Sequence, residues 1–277
     1  MGNILKECDG ILNHNVYKIN NLKVYQYGNV IKLLYFKKPT RAKGFECKKE
    51  KIPEVIPQAE SIEQLIEWFE KANAKKAEKL KANVRRAKNK DYELAMCNEW
   101  EYFATFTIKG DKWSRGQLHE FYGKFSKWLN NYNCRKKCNV KYVIIPELHK
   151  DKKNWHFHGL IKGIPEDELK KFVKGMHPEK LVNSDYLNWG SYEKKFGFCS
   201  FGKIKDPERV AVYITKYVTK QITETKIEVG KHLYYASKGL KGRELIYDDE
   251  FYPKEGQEWD FENDFVCIKT LKEGETL

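Results

Sequence analysis

The chain has 277 residues, 41% of them hydrophobic, so it is long enough to bury a substantial core in one large domain or in a core domain with appended segments. Its 52 Lys and Arg against 39 Asp and Glu give a formal net charge of +13, which suits nucleic acid or an acidic membrane surface but does not by itself establish either. Seven cysteines, with Cys134 and Cys138 as the one close pair, argue against a disulfide scaffold or a zinc ribbon, and we expect reduced thiols.

The chain begins without the apolar core of a signal peptide, and no later stretch reaches about eighteen apolar residues, so we expect a cytoplasmic protein without a membrane partner.

Residues 1–94 are predicted to form an accessory N-terminal region. Residues 15–38 predict two or three short strands around a Tyr-Gly-Asn turn. From Ser61 onward, apolar residues at helical spacing predict a helix whose second half is strongly basic. That half is either a solvated face or a face that lies on DNA phosphates.

From residue 95 the pattern changes to strands that alternate with helices, and residues 95–224 are predicted to form the core domain. Strands are expected at 102–108, 141–147, 155–161 and 196–204, and helices at 115–131, from Pro165 and after Asp206. The order β-α-β-β-α-β-α matches a split βαβ arrangement around a mostly antiparallel sheet, so the predicted fold class is α+β. Residues 225–277 predict a few strands and then an acidic, poorly ordered end.

The third predicted strand of the core carries His156 and His158, two residues apart. Residues i and i+2 of a strand point to the same face, so both imidazoles project together while Trp155 and Phe157 pack on the other side. Glu147 ends the preceding strand, and an antiparallel hairpin would bring its carboxylate to the two histidines. This set suits a divalent ion that also binds substrate oxygens. A phosphate ligand favours Mg²⁺ or Mn²⁺, and zinc remains possible.

Two alternatives stay open at this cluster. A histidine on a strand is often a structural core residue, although two on one face favour metal ligands. His149 lies two residues beyond Glu147 and is a candidate substitute ligand or DNA contact.

The last predicted helix of the core contains Tyr213 and Tyr217, four residues apart and therefore on one face, with Lys216 and Lys220 as a second pair beside them. Alone, this pattern is typical of an amphipathic helix whose tyrosines fill a groove. Beside a metal site it predicts a nucleophile, because lysines would favour the phenolate and counter the charge of a phosphate. Attack on DNA would leave a 5′-phosphotyrosine and a free 3′-hydroxyl. A second tyrosine could then attack the regenerated junction.

Three segments in order resemble motifs one, two and three of the HUH-endonuclease replication initiators: FATFT (103–107), PELHKDKKNWHFHGL (146–160) and YITKYVTK (213–220). The likeness is greatest to the two-tyrosine group, which comprises initiators of small single-stranded DNA phages and of rolling-circle plasmids. The resemblance covers about residues 95–222. It implies the HUH endonuclease fold, which is a ferredoxin-like core with a five-stranded sheet.

The resemblance also implies a function and a set of site residues. We expect a rolling-circle initiator that nicks and later rejoins single-stranded origin DNA, encoded by a plasmid or phage and acting in the cytoplasm of a bacterial host. Its metal would be held by Glu147, His156 and His158, and its nucleophiles would be Tyr213 and Tyr217. Both tyrosines satisfy the Tyr-x-x-Lys pattern of one-tyrosine relatives, so which acts first stays open. The chain has no phosphate-binding G-x-x-x-x-G-K-[ST] motif, so unwinding would need a host helicase.

Basic residues near the predicted elements are candidate DNA contacts. Lys203 and Lys205 precede the tyrosine helix, and Arg85 and Arg86 lie in the N-terminal helix. If such phosphate contacts dominate, affinity should fall steeply with salt while the cleavage position stays fixed.

Rival functions share parts of this pattern. Mobilisation relaxases use the same chemistry but usually place the tyrosine before the histidines, and short single-tyrosine transposases have about half this length. A basic DNA-binding protein without catalysis would use both histidines as core residues. Metal-dependent cleavage separates that alternative from a nickase.

Overall fold

The computed structural model describes residues 19–41, 62–109, 118–148, 155–225, 232–272 and 275. The protein is α+β, with two antiparallel sheets. It forms two compact units, Met1–Val55 together with Glu244–Leu277, and Ile56–Arg243. Among the described residues, none of the helices combines the length and the apolar composition that a membrane crossing requires. The cysteines within the described ranges are reduced thiols, as expected: Cys97, Cys134, Cys138, Cys199 and Cys267.

Strands and helices follow one another along the described parts of the chain. The first half contains β1 (Ile19–Tyr27), β2 (Val30–Arg41), α1 (Ile62–Met96), β3 (Tyr102–Thr107), α2 (Leu118–Lys136), β4 (Lys141–Leu148) and β5 (Trp155–Lys162). The second half contains β6 (Leu169–Lys171), α3 (Glu179–Val182), β7 (Leu187–Trp189), α4 (Gly190–Lys195), β8 (Cys199–Lys203), α5 (Pro207–Thr225), β9 (Tyr235–Ala236), β10 (Glu244–Asp249), β11 (Phe261–Glu262) and β12 (Val266–Lys272).

The smaller unit is a five-stranded antiparallel sheet in the order β10-β1-β2-β12-β11. Strands β1 and β2 form the hairpin predicted from the Tyr-Gly-Asn signal, and Gly28 adopts a φ of 60° in its turn. Glycine takes this left-handed conformation without a steric penalty, which is why a two-residue turn can close the hairpin. Four side chains form the small core, Leu22, Val24, Leu33 and Leu271.

The larger unit is built on a seven-stranded sheet in the order β6-β7-β8-β3-β5-β4-β9. Its four central strands lie side by side in the order β8-β3-β5-β4, and each is antiparallel to its neighbours. This is the predicted split βαβ arrangement, in which α2 connects β3 to β4 and β5 lies between them. The sheet has seven strands where five were expected from the resemblance, because β6 and β9 extend its two edges as pieces of three and two residues.

Alternating side chains divide this sheet into two faces. Phe157 of β5 and Ile144 of β4 pack with the apolar stripe of α2, which includes Phe121 and Phe125. The next residue along β4, Ile145, packs on the opposite face with α1 and α5. Strand side chains alternate between faces, so every residue on the second face of β4 and β5 lies towards α5.

The segment after β5 differs from the prediction. Pro165 opens only a three-residue 3-10 turn, Glu166–Glu168, and the chain then enters β6. The acidic first turn favours a helix locally, but Leu169 and its neighbours pair with β7, and this tertiary pairing overrides the local preference. The same segment contributes three fully buried aromatic residues that the sequence pattern did not assign to the core, Trp189, Tyr192 and Phe196.

The N-terminal helix and the C-terminal strands are grouped differently from the three predicted segments. Helix α1 packs along α5, with Val84, Ala87, Leu94 and Ala95 buried. It is therefore part of the larger unit and not a free solvated helix. Strands β10 and β12 pair with β1 and β2, so residues from both ends of the chain form the smaller unit. Such pairing joins distant segments, and the local sequence pattern does not specify it.

Candidate active site

A carboxylate and two imidazoles lie together where β4 ends and β5 begins. In the antiparallel register Glu147 faces His156 and Ile145 faces His158. The Oε2 atom of Glu147 lies 3.2 Å from Nε2 of His156 and 2.6 Å from Nε2 of His158. The hairpin therefore brings together the three side chains that the sequence analysis selected. Trp155 and Phe157 pack on the other face, as expected.

This cluster has the geometry of a divalent-ion site. Its candidate ligand atoms all lie within 4.8 Å of one another. Ligand atoms about 2.1 Å from one ion lie about 3 Å apart, which agrees with the two distances from Glu147. One carboxylate and two imidazole nitrogens are donors that Mn²⁺, Mg²⁺ and Zn²⁺ accept, and they leave coordination positions open for a substrate. The residues present thus fit such an ion.

Thr105 supports this cluster from the neighbouring strand. It lies directly opposite His158 in the register of β3 and β5, and its Oγ1 is 3.1 Å from Nδ1 of the histidine. In the tautomer whose Nδ1–H donates to the Thr105 hydroxyl, Nε2 is available as a ligand for an ion that Glu147 also contacts. Thr105 belongs to the FATFT segment, but the sequence pattern does not assign it a role, because its contact with His158 depends on strand register.

The two tyrosines of α5 reach this cluster from the helix. Asp206 caps the first turn by accepting a hydrogen bond from the backbone N–H of Arg209 at 2.9 Å, as its position before Pro207 predicted. Two turns later the hydroxyls of Tyr213 and Tyr217 are hydrogen-bonded at 2.9 Å. The ring of Tyr217 stacks on His158, with centroids 4.3 Å apart.

Phe103 of β3 lies among these rings. Its centroid is 5.5 Å from Tyr213, 6.2 Å from Tyr217 and 6.2 Å from His158. It thereby packs both tyrosines against the strand that carries the histidine. Phe103 also belongs to the FATFT segment. It lies two positions before Thr105 on the same strand, so the alternation of strand side chains places both residues on one face of the sheet.

The two tyrosines differ in exposure. Tyr213 is 44% exposed, whereas Tyr217 is half-buried. Burial raises the pKa of Tyr217 above its ordinary value, and the hydrogen bond with Tyr213 and the charges of Tyr213 and Glu147 raise that pKa further. At neutral pH Tyr217 is therefore a phenol. The Nζ of Lys216 lies 5.6 Å from the ring centroid of Tyr213.

Comparison with known families places this site inside a single matched segment. Residues 101–222, just under half of the chain, match the family model described as replication-associated protein ORF2/G2P. The match supports a Rep-type replication initiator. It begins directly before β3 and ends within α5, so it contains the cluster and both tyrosines. No curated protein and no solved structure matches the chain.

The predicted DNA contacts lie at different distances from this site. Lys203 is opposite Tyr102 at the start of β3, whereas His156 is opposite Thr107 at its end. Five residues of strand separate the two positions, so Lys203 lies about 17 Å from the cluster along the strand. Lys205 follows Lys203 and is also exposed.

Arg85 and Arg86 are exposed on α1. The side chain of Lys220 and the whole of His149 lie outside the described residues.

Proposed function

We propose that the protein is an HUH endonuclease of the two-tyrosine type, which nicks single-stranded origin DNA to start rolling-circle replication. The observation that carries the proposal is the contact between the tyrosine pair and the ionisable cluster. Tyr217 stacks on His158, and Tyr213 is hydrogen-bonded to Tyr217. A tyrosine fixed beside a carboxylate and two imidazoles is the arrangement that metal-assisted attack on a phosphate requires.

The proposed reaction exchanges one phosphodiester bond for another. The Oη atom of a tyrosine attacks the phosphorus, a bond from Oη to phosphorus forms, and the bond to the 3′-oxygen breaks. The phenol loses its proton and the departing 3′-oxygen gains one. The 5′-phosphotyrosine keeps the energy of the original linkage, so attack by a 3′-hydroxyl rejoins the strand without ATP.

The chain's own groups have defined parts in this proposal. Glu147, His156 and His158 would hold Mg²⁺ or Mn²⁺, which when bound polarises the scissile phosphate. Tyr217 is a phenol at rest, and its hydroxyl is hydrogen-bonded to that of Tyr213. Tyr213 can relay the proton by taking it up while it releases its own to solvent, or it can act as nucleophile in the second step. Tyr213 is the more exposed of the two and has Lys216 beside it.

Replication is favoured over the rival functions by the family match. Relaxases and transposases would use the same chemistry, but the matched family is one of replication-associated proteins. A non-catalytic DNA-binding protein would use the histidines as core residues. His156 and His158 instead keep side-chain exposures of 21% and 13% and face a carboxylate.

The test is covalent adduct formation on DNA from the protein's own replicon. Purified protein is incubated with Mn²⁺ and single-stranded origin DNA, and the products are separated on denaturing gels. The variants are Tyr213→Phe, Tyr217→Phe, the double variant and His156→Ala. Tyr252→Phe, an exposed tyrosine of the other unit, is the matched control.

We expect an adduct with wild type and the control, and none with the double variant or His156→Ala. The single variants then identify the tyrosine that acts first. Tight DNA binding without any adduct on any strand would exclude the nickase and favour the non-catalytic alternative.

A further inference from the structure

A second feature of the larger unit is a cleft at the edge of its sheet. The cleft encloses about 710 Å³ and is lined by residues of α1, of α2 and of the segment that forms β9. We call it the edge cleft and define it by six of its lining residues: Arg86, Lys90, His119, Tyr122, His232 and Tyr235. None of these six belongs to the candidate active site.

One wall of the edge cleft is a group of aromatic rings. Tyr122 and Tyr235 are stacked, with centroids 3.9 Å apart. The imidazoles of His119 and His232 are nearly parallel, at an interplanar angle of 5° and a centroid distance of 6.2 Å. Tyr122 is held in place by a hydrogen bond of 3.0 Å to the hydroxyl of Tyr142, while both histidines are exposed. The wall therefore combines a fixed stacked pair with two accessible flat rings.

Two cations of α1, Arg86 and Lys90, also line the edge cleft. Arg86 and Lys90 are four residues apart on α1, so they project on the same side of the helix. Lys90 forms an ion pair with Glu93, and Arg86 has no carboxylate partner in the part of the chain that the structure describes. A guanidinium in this position can bind a phosphate through two parallel hydrogen bonds.

The edge cleft lies close to the candidate active site along the strand they share. Tyr235 of β9 is opposite Ile144 of β4, and Glu147 lies three residues further along β4. Three strand residues span about 10 Å along β4, but Ile144 and Glu147 face opposite sides of the sheet, so one bound strand would have to pass around the edge of the sheet to reach both places.

We propose that the edge cleft binds one unpaired nucleotide of the DNA strand that is nicked, with its base on the exposed rings of His119 and His232 and its phosphate on Arg86. This inference rests on the proposed function for its ligand, and it adds a binding site outside the nicking centre. Aromatic rings beside cations are the features that bind single strands, because every base has a flat face and every nucleotide a charge. Paired bases of a duplex are already stacked and would not enter.

The test is equilibrium binding of the full-length protein to fluorescent oligonucleotides without metal, so that no cleavage occurs. Arg86→Ala removes the phosphate contact, and its matched control is Arg135→Ala, an exposed arginine at the far end of α2. A double variant, His119→Ala with His232→Ala, removes the accessible rings, and His177→Ala is its control. Each oligonucleotide is also made with one abasic position, moved along the strand.

We expect the double histidine variant to lose about five-fold or more in affinity for single-stranded DNA. Arg86→Ala should reduce the slope of log affinity against log salt by about 0.7. An oligonucleotide with an abasic site at one position should bind wild type more weakly than the intact oligonucleotide does. The double histidine variant should bind these two oligonucleotides equally, because it already lacks the rings that contact this base. The control variants should bind like wild type.

Unchanged affinity in both Arg86→Ala and the double histidine variant would overturn the inference, as would equal losses on single-stranded and duplex DNA. Thermal unfolding shows whether the variants are folded. If the double histidine variant is unfolded, Arg86→Ala still tests the inference, because Arg86 is exposed and its replacement should leave the fold intact. Failure of the proposed function has a different signature, namely no wild-type adduct with Mn²⁺. An adduct without any effect of the cleft variants on binding would refute this inference alone.

Discussion

Replacing Asp91 by asparagine should make the protein more stable at neutral pH. Asp91 lies in α1 between Ala87 and Ala95, on the stripe that packs against α5, and its side chain is 0% exposed. Neither carboxyl oxygen has a hydrogen-bond partner in the described residues. A buried carboxylate without a partner is strongly disfavoured relative to its neutral acid.

The size of the effect follows from the shift of the pKa. Burial raises the pKa of Asp91 from 3.8 to about 8, so the folded protein keeps a proton that the unfolded chain releases. Between these values stability falls by about 1.4 kcal/mol for each pH unit, because the folded state binds more protons than the unfolded state. From pH 4 to pH 7 the loss is therefore about 4 kcal/mol, and it stops growing above the folded pKa. An asparagine side chain has no such titration, so Asp91→Asn should match wild type near pH 4 and exceed it by about 4 kcal/mol at pH 7.

The measurement is urea unfolding, followed by circular dichroism, of wild type and Asp91→Asn at several pH values from 4 to 8. The control is Glu78→Gln, which changes an exposed acid of the same helix. A constant difference between wild type and Asp91→Asn across this range would refute the reasoning, because it would mean that Asp91 is ionised and paired in the folded state. A stability loss in Asp91→Asn at pH 7 would refute it as well.

Three further predictions concern the site and its supporting structure. Gly159→Ala should destabilise the protein by about 3 kcal/mol in urea unfolding, because the new Cβ would overlap the backbone carbonyl oxygen of Val143. Its control, Gly123→Ala, places the new Cβ in open space on α2 and should not destabilise the protein. Equal unfolding midpoints for the two variants would contradict the packing argument. Thr105→Val should weaken Mn²⁺ binding in calorimetry about 10- to 100-fold by removing the hydroxyl on His158, and Thr105→Ser should restore it. Asp206→Ala should lower stability by about 1 kcal/mol through loss of the α5 cap, with Asp206→Asn close to wild type in the same urea assay.

Much of the core, and the grouping of the candidate site residues, could be predicted from local sequence. The alternation of strand residues placed His156 and His158 on one face, and helical spacing placed Tyr213 and Tyr217 on one side of α5. Both predictions depend on backbone periodicity alone, which holds in any fold that contains the element. The β-α-β-β order then restricted the topology enough to bring Glu147 to the histidines.

Other features could not be predicted, because they depend on which elements become neighbours. Thr105 contacts His158 only in the register of β3 and β5, and Phe103 packs both tyrosines only once α5 lies on the sheet. The short helix predicted from Pro165 is limited to one 3-10 turn, Glu166–Glu168, because the residues after it pair with β7. Local propensity differs by only about 1 kcal/mol per residue, so a strand pairing can override it.

The sequence by itself determined the periodic elements, the residue pairs within them and the chemical class of the cluster. The tertiary structure alone decided that α1 packs on α5 with Asp91 buried, that both ends of the chain share one sheet, and that Arg86 lines one cleft with His119 and His232. The physical reason is the sequence distance over which the two kinds of interaction act. Periodicity and capping act over a few residues, whereas burial and strand pairing are set by contacts between segments that can be more than two hundred residues apart, as between β1 and β10.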